Sequence, residues 1–156
     1  MHDLTGTTDL NLLAQQAQAL IEDEADDIAN MANLSALIYH SLPDLNWVGF
    51  YLYKEGHLIL GPFQGKPACV HLYLNKGVCG TAAAQKRTLN VPDVHAFDGH
   101  VACDSASESE CVVPMISDGN VIGVLDVDSP IPNRFDADTQ AFLETVVDTY
   151  MKNRIL

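Results

Sequence analysis

The chain reads as an α+β domain, a central antiparallel sheet with helices packed on it from both ends of the sequence, on three observations. Apolar residues recur at three- and four-residue spacing near both termini, the period of an amphipathic helix. Through the middle they alternate every second residue, the period of a strand. The alternating runs are joined by Glu55-Gly56 and Asp118-Gly119, dipeptides that close hairpins, and helices outside a run of antiparallel strands make an α+β fold.

Residues 1–8 are polar and rich in Thr and Gly, and are expected to fray or serve as a loose arm. Over 9–23, Leu10, Leu13, Ala14, Ala17, Leu20 and Ile21 define one face of a first helix. A second covers 26–41, with Ile28, Met31, Ala32, Leu34, Ala36, Leu37 and Ile38 apolar, and Pro43 stops it. The period then changes to two. Trp47, Gly49, Tyr51 and Tyr53 share one face of a strand and Val48, Phe50 and Leu52 the other. A second strand is expected over 57–60, a break over 62–67 at its two prolines, and a third strand over 68–73. After the turn Asn75-Lys76-Gly77, residues 77–84 form a short helix of small side chains. A strand at 88–91 leads into the irregular, Asp- and Ser-rich segment 92–109, long enough to be functional. Strands at 110–116 and 121–128 and a final helix at 136–152 complete one domain, 1–156.

The composition excludes several classes of function. Hydrophobic residues are 47% and charged residues 19% of the chain, the balance of a packed domain. The net charge of −13 repels phosphate backbones and anionic lipids, which argues against nucleic-acid and membrane partners. No signal sequence or membrane span is evident, so the chain is expected in the cytoplasm, where thiols stay reduced unless they cycle.

Four cysteines and a set of carboxylates carry the chemistry. Cys69, Cys79 and Cys103 are too widely spaced for a zinc motif, and no nucleotide or dinucleotide fingerprint occurs, so no metal and no cofactor is expected. Cys69 and Cys79 lie in apolar surroundings and fit packing as well as reactivity. Cys103 sits in a polar loop three residues after His100, where exposure and a neighbouring imidazolium favour the nucleophilic thiolate. Cys111, at the start of an apolar strand, is expected to pack. On the strand 121–128, Ile122, Val124, Asp126 and Asp128 point one way and Val121, Gly123, Leu125 and Val127 the other. Asp126 and Asp128 are thus either a buried pair, one of which stays protonated, or the end of a strand emerging into solvent. Hairpin pairing through Asp118-Gly119 brings Glu110 towards them, as a cluster or as a solvated acidic rim. Trp47 and Tyr51 share a face, as core or as the wall of a ligand pocket.

Several runs taken together closely resemble the free methionine-R-sulfoxide reductases, single GAF-domain enzymes. They are Trp47-Val48-Gly49-Phe50-Tyr51, Gly77-Val78-Cys79-Gly80-Thr81-Ala82, the segment Asp98 to Ser107 that includes Cys103, Ser109-Glu110, and Gly123-Val124-Leu125-Asp126-Val127-Asp128-Ser129. The likeness extends from about residue 28 to the end of the chain. It implies a GAF-like fold and reduction of free L-methionine-(R)-S-oxide to methionine. Cys103 falls at the nucleophile position, Cys69 at that of its disulfide partner, and Cys79 at that of a secondary or alternative resolving thiol. Trp47 and Tyr51 would line the methyl pocket, and Glu110, Asp126 and Asp128 would grip and polarise the substrate. Thioredoxin is the implied reductant, and the R preference rests on the likeness alone. Cys111 departs from the family pattern, which has aliphatic residues there. A small-ligand sensor on the same fold and a thiol redox sensor without turnover are the competing readings, and the N-terminal helices offer apolar surface for a homodimer.

Overall fold

The computed structural model of the chain describes residues 8–99 and 105–154. Its three longest helices begin where an aspartate caps them. Asp9 Oδ1 accepts from the Leu12 amide at 3.1 Å to open α1 (Leu10–Ile21), Asp26 does the same for Ala29 at 2.9 Å in α2 (Asp27–Ser41), and Asp136 for Thr139 at 2.8 Å in α4 (Ala137–Asn153). Each presents one apolar stripe inward: Leu13, Ala17 and Ile21; Met31, Leu34 and Ile38; Phe142, Leu143, Val146 and Val147.

The strands are β1 (Trp47–Lys54), β2 (His57–Gly65), β3 (His71–Leu72), β4 (Leu89–Val91), β5 (Ser109–Ser117) and β6 (Asn120–Ser129). They form a six-stranded antiparallel sheet in the order β3-β2-β1-β6-β5-β4. The last strand therefore lies beside the first, in the middle. One sheet face, with Val48, Phe50, Cys111, Val113, Met115, Leu125 and Val127, packs on α1, α2 and α4. The other, with Trp47, Tyr51, Val112 and Val124, packs on α3 (Gly77–Gln85) through Val78, Cys79, Ala82 and Ala83. The expected α+β arrangement, with helices from both ends of the chain on the sheet, is present.

The structure corrects three expectations. β2 does not break at Pro62 but runs on to Gly65. Gly49 faces Phe63 and Tyr51 faces Leu60, so Gly61 and Pro62 together oppose Phe50 in a bulge, and a proline is tolerated where the ladder is already interrupted. The third strand shrinks from 68–73 to His71–Leu72, because Tyr73 to Lys76 turn early to start α3. On β6 the alternation fails near its start. Met115 faces Gly123 but Ile116 faces Val121, which leaves Ile122 as an inserted residue. Val121 consequently packs on the α3 side with Val124, and Ile122 packs on the opposite side, the reverse of strict alternation.

α3 can lie close to the sheet because its residues are small. A Cβ on Gly80 would collide with the Tyr73 carbonyl, and Gly77 has φ +68°, a conformation costly for any other residue. Among the described residues no helix is long and apolar enough to cross a membrane.

Candidate active site

The α3 face of the sheet is not sealed. Between α3, the start of β1 and the ends of β5 and β6 lies a cavity whose empty volume, including its mouth, is about 570 Å³.

Its wall is aromatic. Trp47 and Tyr51, two pleats apart on β1, stack with ring centroids 5.8 Å apart, and Phe63 also stacks on Trp47, at 5.2 Å. The polar end of each ring is used. Trp47 Nε1 donates to the Lys66 carbonyl at 3.1 Å, and the Tyr51 hydroxyl donates to the Cys69 carbonyl at 2.8 Å. The two rings therefore line the cavity and also pin the segment 66–69, which forms its rim with Pro67 and Ala68. Burial, reinforced by the charge of Asp126, raises the Tyr51 pKa, so its hydroxyl stays a donor. Tyr51→Phe is expected to lower stability by about 1 kcal/mol, the value of one such bond, read as a shift in denaturation midpoint at unchanged slope.

The floor is acidic. Register places Glu110 of β5 directly across from Asp128 of β6, and Asp126 two residues earlier on the same face, opposite Gly49 of β1. Glu110 is 8% and Asp126 5% exposed, so the cluster is buried and not a solvated rim. From α3, the Cys79 thiol donates to Glu110 Oε2 at 3.8 Å. Burial and then the charges of Asp126 and Asp128 hold the Glu110 carboxyl well above its ordinary pKa. Asp126 is raised by burial, against the lowering effect of hydrogen bonds with Glu110, Cys79 and Asp128. Burial, then the charges of Asp126, Glu110 and Asp128, push up the Cys79 thiol. The floor thus holds protons that isolated carboxylates would have lost, which is what a proton donor at neutral pH requires.

The structure brings Trp47, Tyr51, Cys79, Glu110, Asp126 and Asp128 to this one cavity. Cys69 stands next to Ala68 on the rim, half-buried and disulfide-bonded. Cys103 and His100 lie outside the described residues. Cys111 is fully buried on the opposite sheet face, and burial takes its pKa to about 12, so it packs as expected.

Sequence reasoning missed Lys76, Val78 and Ser107, which also line the cavity, and Asn46, whose side-chain amide donates to Ser107 Oγ at 3.1 Å. Glycine at the start of a short helix was the available signal for the first two. α3 begins without a side-chain cap, and the Gly77 N–H donates to the Gly99 carbonyl at 2.9 Å, so it is the N–H groups that follow, from Val78 on, that can meet a ligand's anionic group at the cavity. Among the described residues, ligand atoms of Cys79, Glu110 and Asp126 all lie within 4.8 Å of one another, close enough to share a metal ion.

Comparison with known proteins gives a consistent picture. Residues 16–151 match the GAF domain family. The free methionine-R-sulfoxide reductase of Escherichia coli is 49% identical over 135 residues, 86% of this chain and 82% of that protein. The structure of fRMsr of Staphylococcus aureus in complex with substrate superposes with a TM-score of 0.90 at 52% identity, covering 94% of this chain and 96% of that one. The free methionine-R-sulfoxide reductase of Neisseria meningitidis, also in complex with its substrate, gives 0.91 at 39% identity, covering 98% and 95%.

Proposed function

The chain belongs to the free methionine-R-sulfoxide reductases, oxidoreductases built on the GAF domain, and from that membership we propose that it reduces free L-methionine-(R)-S-oxide by a thiol–disulfide cycle. The observation that carries the reading is the acidic floor, in which Glu110 and Asp126 are buried with raised pKa beside a half-buried Asp128, set against the stacked rings of Trp47 and Tyr51.

A zwitterionic amino acid fits this cavity in one orientation. Its ammonium is drawn to the carboxylates, its carboxylate to the N-terminus of α3, and its methyl group to the aromatic wall. Closed over its ligand, such a cavity excludes methionine within a polypeptide. With the acid fixed on one side and the rings on the other, a single sulfur epimer places its oxygen on the donor.

A sulfoxide sulfur becomes electrophilic when its oxygen is protonated, and Glu110 supplies that proton. The Cys103 thiolate attacks the sulfur. The oxygen passes to Cys103 as sulfenic acid, the substrate sulfur gains two electrons, and methionine leaves. The Cys69 thiol condenses with the sulfenic acid, releasing water and forming a disulfide. Thioredoxin, whose potential of about −270 mV suits this task, reduces it and regenerates both thiols. Support for Cys69 in this role is that it is already in a disulfide, while Cys79 and Cys111 are free. Cys79, buried among acids and kept protonated, is a poor competitor for resolution and a better neighbour for Glu110.

The test is an NADPH-coupled assay with thioredoxin and thioredoxin reductase, offering the free R epimer, the free S epimer and a peptide-bound sulfoxide. Consumption of NADPH is expected with the first alone. No consumption with the R epimer, or equal rates with both epimers, rejects the proposal.

A further inference from the structure

We propose that Cys79, Glu110 and Asp126 form a binding site for a borderline divalent metal ion, of which zinc is the physiological example, and that its occupation shuts the substrate cavity. The second half of this rests on the function proposed above; the first does not.

Three ligand atoms, one on each of α3, β5 and β6, converge within 4.8 Å of one another. The separation of Cys79 Sγ from Glu110 Oε2 is 3.8 Å. In a tetrahedral site with Zn–S of about 2.3 Å and Zn–O of about 2.0 Å, a sulfur and an oxygen stand roughly 3.5 Å apart, so rotamer adjustments of a few tenths of an ångström suffice.

Acid clusters are common without an ion, and proximity alone would not carry the assignment. Two further observations do. The donor set is mixed: a thiolate beside two carboxylates selects zinc, cobalt or cadmium over magnesium and calcium, which prefer oxygen alone. In addition, Asp126 is 5% exposed, and its Oδ1 is buried with no hydrogen-bond partner, which is expensive for a carboxylate oxygen unless a cation or donor is at times supplied. A bound ion satisfies that oxygen. On coordination the Cys79 proton and the proton held between Glu110 and Asp126 both leave to solvent, and Glu110 Oε2 exchanges its hydrogen bond with sulfur for a bond to the metal.

Three protein ligands leave a fourth position open towards the cavity lined by Trp47 and Tyr51, where water completes the shell. The ion would cover the proton donor and repel the substrate ammonium. Zinc is therefore a competitive inhibitor: it raises the apparent KM and leaves kcat unchanged.

The site is tested on the full chain in its oxidised form, in which Cys69 is not available as a thiolate. Cobalt(II), the spectroscopic substitute for zinc, is expected to produce a thiolate-to-metal charge-transfer band saturating at one ion per chain. The band should vanish in Cys79→Ser, persist in Cys111→Val, and require at least about tenfold more metal in Asp126→Asn. Should Cys79→Ser fail to fold by circular dichroism, Asp126→Asn, which keeps the thiol, decides. Absence of the band in the wild type, its survival in folded Cys79→Ser, or unchanged affinity in Asp126→Asn overturns the site. Because this readout needs no turnover, the metal-free coupled assay judges the enzymatic reading separately.

Discussion

Replacing Cys103 by Ser is expected to abolish reduction of free methionine-(R)-sulfoxide, with a loss of more than about 10³-fold in turnover, since no other group replaces a missing nucleophile. A hydroxyl is almost wholly protonated at neutral pH and has no accessible sulfenic state, so neither attack nor disulfide formation can begin. The informative measurement is methionine released by reduced protein with no external reductant. Wild type should yield one equivalent per chain and finish with a disulfide. Cys103→Ser should yield none. Cys69→Ser should still yield one equivalent but stop at the sulfenic acid, which a carbon nucleophile such as dimedone traps. Sustained turnover by Cys103→Ser would transfer the nucleophile's role to another thiol. Full turnover by Cys69→Ser would move resolution to Cys79, in spite of the acids that surround it.

The second large effect belongs to the acidic floor. Glu110→Gln keeps the shape of the side chain but loses its transferable proton, and is expected to lower kcat by about 10²-fold at neutral pH with a smaller change in KM. Stability should move the other way. Glu110 is buried against Asp126 and Asp128, and burial, then their charges, raises its pKa. A carboxyl whose folded pKa exceeds its unfolded value of about 4.3 stabilises the fold fully below that pH. The contribution is lost as pH rises towards the folded pKa, because the native state must then hold like charges in a dry site. Glu110→Gln should flatten this alkaline decline and raise stability at pH 8 by roughly 1 kcal/mol, the usual exchange between activity and stability at a strained site. Chemical denaturation across a pH series reads both signs. The protons of the three acids are shared, so the pH–rate profile reports the cluster and not Glu110 alone. A kcat in the variant equal to that of the wild type from pH 6 to 8 would remove Glu110 from the proton-donor role.

How much of this was legible in the chain depended on the range of the interactions involved. The helical stripes of α1, α2 and α4 and the alternation of β1 are local, and they stand within a few residues of where the periodicity placed them. The bulges at Gly61-Pro62 and Ile122 were not legible. Each is an extra residue defined only by the strand opposite, so it needs the partner's register. A strict count of two also assigned Val121 and Ile122 to the wrong faces.

The site divides along the same line. The sequence by itself determined which residue types are available: dispersed thiols, an Asp-x-Asp strand, a Trp and Tyr on one face, and a short glycine-led helix of small residues. It left open whether the carboxylates were a solvated rim or a buried cluster, and whether the rings were core or wall. Only the tertiary structure decided these questions. Closing β6 onto β1 and β5 sets Asp128 between Trp47 and Glu110, and α3 then lowers Cys79 over them and excludes water. A carboxylate's proton affinity and an aromatic ring's exposure are properties of surroundings, and those surroundings come from segments more than thirty residues apart that meet only when the sheet is complete.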